Sequence, residues 1–189
     1  MAFSRERREL IHDPSLLDRL AALPAESFAG EVFRATRRSH DPLAPSTRGG
    51  RWARDGGSSV LYTSLERDGA LAEIGFHWGQ LTPLPTKPAV LHRLTVTARN
   101  ARRLLRASLP LFGVDPTRFG ELNYARTQEI GEGAAFLGYD GFIVPSARWS
   151  CENLILFGGN HEPDNELSLI SSEEVDWLKW ARENGIVRS

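Results

Sequence analysis

The sequence predicts one domain of the α/β class, of the mixed α+β type rather than a doubly wound fold. The chain has 189 residues, of which 41% are hydrophobic and 25% are charged, and this is enough to bury one core. Segments with the alternation of strands and segments with the spacing of helices follow one another in no regular order. A regular strand–helix alternation would have predicted a parallel sheet instead.

The N-terminal part predicts a helix followed by a strand. Asp13 and Pro14 are typical of a helix start, with the acid as the cap and proline at the first helical position. Residues 31–35 alternate like a strand, so Arg34 is predicted on the same face as Val32. An arginine aligned with a core-facing residue needs a partner for its charge.

The next segment predicts a loop, a strand and a helix. Prolines and serines make residues 37–50 a loop, and extended structure is predicted to resume at Arg51 and Trp52. Residues 60–63 form the second predicted strand. Glu73 lies at the edge of the apolar stripe of the following helix, where its carboxylate is either half desolvated or solvated like most helix glutamates.

The second half predicts further strands and two more helices. Ser171 to Glu174 match a capping box, which predicts that a terminal helix begins there. Gly138 is predicted to end the preceding helix in the left-handed conformation. The other predicted elements are strands at 90–96, 101–106, 141–145 and 153–157, and a helix at 123–137.

A group of arginines between residues 34 and 55 is the most distinctive local feature of the sequence. The whole chain has a net charge of -1, so this segment concentrates positive charge in a nearly neutral protein. Arginine presents a planar fork that suits phosphate or carboxylate oxygens, and the adjacent glycines let the backbone approach a ligand. The segment therefore predicts a site for a small phosphate-bearing molecule. Its arginines are Arg34, Arg37, Arg38, Arg48, Arg51 and Arg54, set against Asp41 and Asp55.

Composition and motifs exclude several other classes of protein. With 23 basic and 24 acidic groups, the chain lacks the broad positive charge of a general nucleic-acid binder. It has no apolar run of membrane-spanning length and no signal peptide, so a cytoplasmic protein is expected. Cys151 is the single cysteine, and no second ligand stands at metal-binding spacing from His92, so no metal is expected. The dinucleotide, phosphate-loop and hydrolase-elbow motifs are also absent, so a nucleotide would bind by another geometry.

Segments of both halves, taken in order, resemble the RES domain family. The resemblance covers about residues 28 to 158 and departs from the family at Ala53, where an asparagine commonly follows the tryptophan. The segments are Phe33-Arg34-Ala35, Gly49-Gly50-Arg51-Trp52, Leu61-Tyr62-Thr63-Ser64, Ala70-Leu71-Ala72-Glu73, Gly138 to Arg148, and Asn153-Leu154-Ile155-Leu156-Phe157.

The resemblance implies a fold similar to ADP-ribosyltransferases, with a mixed, partly antiparallel sheet flanked by helices. Members of the family are typically toxins of bacterial toxin–antitoxin pairs, and they consume NAD. They cleave its nicotinamide–ribose bond by phosphorolysis or hydrolysis, or they move ADP-ribose to a protein. The implied substrate is NAD, with inorganic phosphate as an optional co-substrate and no metal. The implied partner is an antitoxin with a DNA-binding domain, while direct nucleic-acid binding and membrane association are not expected.

The family takes its name from an arginine, a glutamate and a serine, which the resemblance places at Arg34, Glu73 and Ser146. Arg51 and Tyr62 are implied as neighbours, and either Arg34 or Arg51 can be the principal arginine. The residues implied in NAD binding are Arg34, Arg51, Tyr62, Ser146 and Asn153.

These residue types suit the cleavage of NAD. Breaking the bond between nicotinamide and ribose builds positive charge on the sugar, which a carboxylate such as Glu73 stabilises. Arg34 and Arg51 can hold the pyrophosphate through bidentate contacts. Tyr62 either stacks on nicotinamide or packs in the core, and Ser146 either bonds a ligand oxygen or caps a loop.

The chain is expected to divide into a helical extension (1–27), the RES domain (28–160) and a helical tail packed on that domain (161–189). Three functions are compatible with the sequence: cleavage of NAD, transfer of ADP-ribose to a protein acceptor, and binding of a nucleotide or partner without catalysis. The acceptor and the oligomeric state, including a homo-oligomer, stay open at this stage.

Overall fold

Strands and helices are defined in a computed structural model, which describes residues 12–187. Residues 1–11, on which the expectation about a signal peptide rests, and residues 188–189 of the predicted tail lie outside the described residues. The strands are β1 (Ala25–Thr36), β2 (Val60–Ser64), β3 (Ala89–Arg103), β4 (Gly141–Pro145), β5 (Glu152–Phe157) and β6 (Leu167–Val175). The helices are α1 (Pro14–Ala21), α2 (Arg67–Gly79), α3 (Ala125–Phe136) and α4 (Trp177–Glu183), with a 3-10 helix at Arg106–Phe112.

The six strands form one mixed sheet whose order is β1-β2-β5-β4-β3-β6. Because β1 also pairs with β3 along most of its length, the order closes on itself. β3 and β4 are parallel, and the other neighbouring strands are antiparallel. The predicted fold class, a mixed α/β domain with helices flanking a mixed sheet, is confirmed. None of the helices within residues 12–187 is both long and apolar enough to cross a membrane.

The two faces of the central strands bury different apolar clusters. Phe142 and Ile155 face a cluster that includes Trp52 and side chains of α1 and α3. Ile143 and Leu154, the alternate residues, face a second cluster. Every residue of β4 is buried, because both faces of the sheet are covered at this point.

Two local predictions about helix ends are confirmed. The Asp13 carboxylate accepts a hydrogen bond from the backbone N–H of Ser15 at 2.9 Å, and Pro14 is the first residue of α1. Gly138 follows the end of α3 with a φ of 78°, the left-handed conformation that favours glycine at this position.

The prediction of extended structure at Arg51 and Trp52 is wrong. These residues form a tight turn, in which the Gly50 N–H donates to the Ala53 carbonyl at 2.9 Å. Within the arginine cluster, Arg51 is therefore presented from a turn and not from a strand.

Two predictions in the second half are also wrong. The separate strand expected at 101–106 is the end of the long β3, which continues to Arg103. Residues 171–174 lie inside β6 and do not cap a helix. Helix α4 is capped instead by Asp176, whose carboxylate accepts the N–H of Lys179 at 3.0 Å.

Candidate functional site

Glu73 lies on α2, and its carboxylate is held by residues of two other segments. Ser146, directly after β4, donates its Oγ–H to Glu73 Oε1 at 2.9 Å. Asn153, on β5, donates an Nδ2–H to the same oxygen at 3.0 Å. The second oxygen, Oε2, accepts no hydrogen bond from the described residues and is not one of the enclosed polar atoms. One carboxylate oxygen is therefore fixed by the protein, and the other is accessible to a ligand.

Ser146 is oriented by the loop that joins β4 to β5. The antiparallel pairing of these strands brings Ser146 and Asn153 to the same end of the sheet. The fully buried Ser146 Oγ accepts the backbone N–H groups of Arg148 at 3.1 Å and Trp149 at 3.2 Å. With its lone pairs engaged in this way, the hydroxyl hydrogen points to Glu73. Ser146 thus caps the loop and also positions the carboxylate.

Arg51 stacks on two aromatic rings in the same region as Glu73. The carbon of its guanidinium lies 4.7 Å from the ring centroid of Phe119 and 4.5 Å from that of Tyr124. Its Nη2–H donates to the carbonyl oxygen of Glu121 at 3.3 Å. Stacking on two rings leaves the edges of the planar guanidinium as its hydrogen-bonding surface.

The charges of four side chains act on one another in this region. Burial lowers the pKa of Arg51, the charge of Arg148 lowers it further, and the Glu73 carboxylate opposes both effects. Partial desolvation lowers the pKa of His77, one helical turn after Glu73 and exposed at its surface; Glu73 raises this pKa, and Arg148 and Arg51 lower it. Arg51, Glu73, His77 and Arg148 therefore lie within electrostatic range of one another.

Tyr62 supports the turn that carries Arg51. Its hydroxyl oxygen accepts the backbone N–H of Trp52 at 3.1 Å, and its ring packs against the cluster that contains Trp52. Burial raises the pKa of this hydroxyl. A Cβ at Gly50 would lie 2.6 Å from the Tyr62 hydroxyl, so glycine is needed for this close approach.

Arg34 lies on a different face of the sheet. It alternates along β1 with Phe33, which packs against α2, so Arg34 points away from that helix together with Val32. Its Nη1–H donates to the Ala44 carbonyl at 3.4 Å, and burial lowers its pKa. Within residues 12–187, no hydrogen bond or ion pair connects Arg34 to Glu73.

The structure therefore brings together most of the predicted site. Ser146 and Asn153 both donate hydrogen bonds to Glu73, and Arg51 lies within electrostatic range of Glu73. Tyr62 lies beneath the turn of Arg51. Of the two candidate arginines, Arg51 is the one that shares the region of Glu73.

Sequence reasoning missed a buried carboxylate close to the Arg51 turn, that of Glu132 on α3. It accepts the backbone N–H of Arg54 at 3.0 Å, the N–H of Ser58 at 3.1 Å and the hydroxyl of Ser58 at 2.6 Å. It thereby fixes the loop that follows the Arg51 turn. The sequence gives one hint of this burial. Glu132 lies between Gly131 and Gly133, on a predicted helix whose neighbouring residues are expected to be buried.

Gly131 lets α3 approach the same turn. A Cβ at this position would overlap the backbone carbonyl of Trp52, so any side chain would push the helix and the turn apart. The backbone next to Arg51 is therefore packed directly on α3.

The fold and the site define a class of protein: a mixed α/β domain with a fixed carboxylate and a half-buried arginine. Such a site suits a ligand that has an anionic part and a centre that becomes cationic. Within residues 12–187, no group of three or more His, Cys, Asp or Glu side chains is placed to bind a metal ion.

Comparison with known proteins identifies the family. The model of the RES domain matches residues 29–178, and the chain therefore belongs to the RES domain family. Among solved structures, the fold is similar to a chain in the crystal structure of the M. tuberculosis MbcT–MbcA toxin–antitoxin complex, with a TM-score of 0.73 and 18% identity. That match covers 89% of this chain and 96% of the other. No curated protein matches the sequence.

Proposed function

We propose that the protein consumes NAD by cleaving its nicotinamide–ribose bond, with phosphate or water as the acceptor. The observation that carries this proposal is the Glu73 carboxylate, which has one oxygen bound by Ser146 and Asn153 and the other without a partner among the described residues. A carboxylate fixed in this way costs little reorganisation when positive charge develops on a sugar beside it. Family membership supports the same chemistry.

The other end of NAD carries a pyrophosphate, for which Arg51 is suited. Its guanidinium is stacked on Phe119 and Tyr124, so its orientation is restricted before the ligand arrives. Restricted donors lose less entropy on binding than free side chains. We assign Arg51 to the pyrophosphate and leave Arg34 with a role in shaping the sheet near the loop of residues 37–45.

The proposed biological role is that of the toxin in a cytoplasmic toxin–antitoxin pair. The similar solved structure belongs to a toxin–antitoxin complex, and the match extends over 89% of this chain. The partner would be an antitoxin with a DNA-binding domain, which would keep the activity in check until it is removed.

The proposal is tested by incubating the purified chain, free of any antitoxin, with NAD and following nicotinamide release. Parallel reactions with and without inorganic phosphate distinguish phosphorolysis from hydrolysis. NAD labelled in the ADP-ribose part, added with an extract as acceptor, detects transfer to protein. Nicotinamide release without labelled protein supports the proposal, whereas folded protein that releases none under any of these conditions contradicts it.

A further inference from the structure

Arg148 is placed beside the candidate site with most of its hydrogen-bonding capacity unused. The carbon of its guanidinium lies 3.3 Å from the ring centroid of Phe76, and its Nη1–H donates to the Gly120 carbonyl at 2.6 Å. Its Nε and Nη2 atoms are enclosed and have no hydrogen-bond partner among the described residues. A buried cationic group with unsatisfied donors is costly, which makes it attractive for an acceptor with negative charge.

Arg51 and Arg148 donate hydrogen bonds to the carbonyl oxygens of two consecutive residues in the loop after the 3-10 helix. Arg148 donates to the carbonyl of Gly120, and Arg51 donates to that of Glu121. Within residues 12–187, neither arginine forms an ion pair. Two neutral carbonyl oxygens thus occupy the positions in which a negatively charged group would bind more strongly.

Another arginine shows which of these features is specific. Arg102 stacks on Tyr139 at 4.5 Å and also has an enclosed Nε without a partner in the described part of the chain. Stacking and one unpaired nitrogen are therefore not enough to indicate a ligand. Arg148 differs because a second guanidinium, that of Arg51, lies within electrostatic range, and because its own backbone N–H is bonded to Ser146.

We propose that Arg51 and Arg148 together bind a phosphate oxyanion, whose oxygens replace the carbonyl oxygens of Gly120 and Glu121. Two like charges that face one region disfavour each other, and an anion between them removes that cost. Each new contact is a charge-assisted hydrogen bond, about twice as strong as a bond to a neutral carbonyl. This inference rests on the proposed function in that it places the phosphate next to the residues that hold Glu73.

The loop can release its carbonyl groups without leaving the core. Phe119, immediately before the two carbonyl-bearing residues, is buried in the apolar cluster and anchors the segment. Gly120 has no side chain to carry along, and a Cβ there would meet only the Arg148 Nη1 at 3.8 Å. Arg51 and Glu121 both line a cavity, together with other residues between 113 and 127. Rotation of the peptide groups at Gly120 and Glu121 would release one N–H donor of Arg148 and one of Arg51.

The oxyanion has two sources, the pyrophosphate of NAD and free inorganic phosphate. Binding of ADP-ribose, inorganic pyrophosphate and inorganic phosphate is measured by titration calorimetry for the full chain and for Arg148→Met. Methionine keeps an unbranched apolar side chain on Phe76 while removing the charge. Arg102→Met is the matched control, because it also removes a ring-stacked arginine. Thermal melting establishes that each variant is folded.

We expect Arg148→Met to weaken binding of ADP-ribose and pyrophosphate about tenfold or more, from the loss of charge-assisted hydrogen bonds. Arg102→Met should bind like the wild type. If only inorganic phosphate is affected, the site still binds an oxyanion, and its source is the free co-substrate. Unchanged binding of all three probes, no binding by the wild type, or an equal loss in Arg102→Met would overturn the inference.

Two further arms keep the test decisive. Arg148→Lys retains the charge and loses the planar fork, so it should weaken binding less than methionine does; it replaces Arg148→Met if that variant fails to fold. None of these titrations depends on turnover. A wild type that releases no nicotinamide from NAD, yet binds ADP-ribose through Arg148, would contradict the proposed NAD cleavage and leave the oxyanion site standing.

Discussion

Glu73 and Glu132 are both carboxylates on helices that pack against the sheet, and both accept hydrogen bonds from neutral donors. Glu132 accepts bonds at both oxygens, from the backbone of Arg54 and from the backbone and hydroxyl of Ser58. Within residues 12–187, Glu73 accepts its two hydrogen bonds at one oxygen, from Ser146 and Asn153. Among the described residues, both oxygens of Glu132 accept hydrogen bonds, whereas only Oε1 of Glu73 does.

This difference separates a structural role from a functional role more clearly than burial does. A buried acid whose acceptor sites are all occupied stabilises the loop that surrounds it. An acid with one oxygen fixed, and the other without a partner among residues 12–187, can still contact a ligand. Changing Glu132 or one of its donors should therefore mainly lower the free energy of unfolding. Changing Glu73 or one of its donors should mainly lower the rate of nicotinamide release.

The largest expected effect is that of Glu73→Gln on catalysis. Glutamine still accepts the hydrogen bonds of Ser146 and Asn153 through its carbonyl oxygen, but it carries no charge to stabilise a cationic sugar. We expect nicotinamide release to fall by about 10²- to 10³-fold, the scale of losing one electrostatic group at a reacting centre. The melting temperature, measured by circular dichroism, should stay close to that of the wild type. A variant that keeps the full rate would show that the Glu73 carboxylate does not stabilise the cationic sugar.

Glu132→Ala should lower the stability of the protein strongly and the rate of nicotinamide release only slightly. It leaves two backbone N–H groups and the Ser58 hydroxyl without their acceptor, and each buried donor left unpaired is costly. We expect the free energy of unfolding to fall by about 3 kcal/mol, measured by urea denaturation. Molecules that remain folded at low temperature should lose far less of their rate than Glu73→Gln does. A change below about 1 kcal/mol would mean that water replaces the carboxylate at little cost.

Ser146→Ala removes one of the two groups that hold the Glu73 carboxylate. Asn153 still binds the same oxygen, so the acid keeps part of its orientation. We expect the rate of nicotinamide release to fall about tenfold, because small errors in the position of a catalytic group reduce the rate strongly. The kcat should fall more than the affinity for NAD. A change in affinity alone would indicate that Ser146 contacts the ligand directly instead.

Ser58→Ala is the matched change at the other carboxylate, and its effect should be the smallest. The Ser58 hydroxyl donates to Glu132 at 2.6 Å, while the backbone N–H groups of Arg54 and Ser58 continue to satisfy the acid. We expect a loss of about 1 kcal/mol in the free energy of unfolding, typical of one hydrogen bond. The rate of nicotinamide release should be unchanged. A rate loss equal to that of Ser146→Ala would remove the distinction between the two carboxylates.

The strands that local pattern predicts are those that bury side chains. β4 and the part of β5 from Leu154 to Phe157 are continuous apolar runs, so their sequence alone indicates a covered strand. β6 was missed because most of its residues are exposed, and its pairing with β3 is made by backbone groups that leave no apolar alternation. Its Ser171–Glu174 segment satisfies the composition of a capping box without the geometry of one.

The contacts of Glu73 could not be predicted from any local sequence pattern. Ser146 and Asn153 lie 73 and 80 positions from Glu73 along the chain, so their contact with it follows only from the complete fold. The family resemblance supplied these residues, and the alternation of β1 placed Arg34 beside Val32 without indicating which face the ligand occupies. Glu132 was missed for a related reason, because the donors that allow its burial belong to a loop more than 70 positions away.

Because Gly131 has no side chain, helix α3 packs directly against the turn that carries Arg51. The Trp52 carbonyl occupies the space where a Cβ would be, one residue from Arg51. A substitution as small as alanine at this position would therefore displace the turn and with it the Arg51 guanidinium. Inactivating changes in this protein should accordingly be sought on the inner side of a helix as well as around the carboxylate.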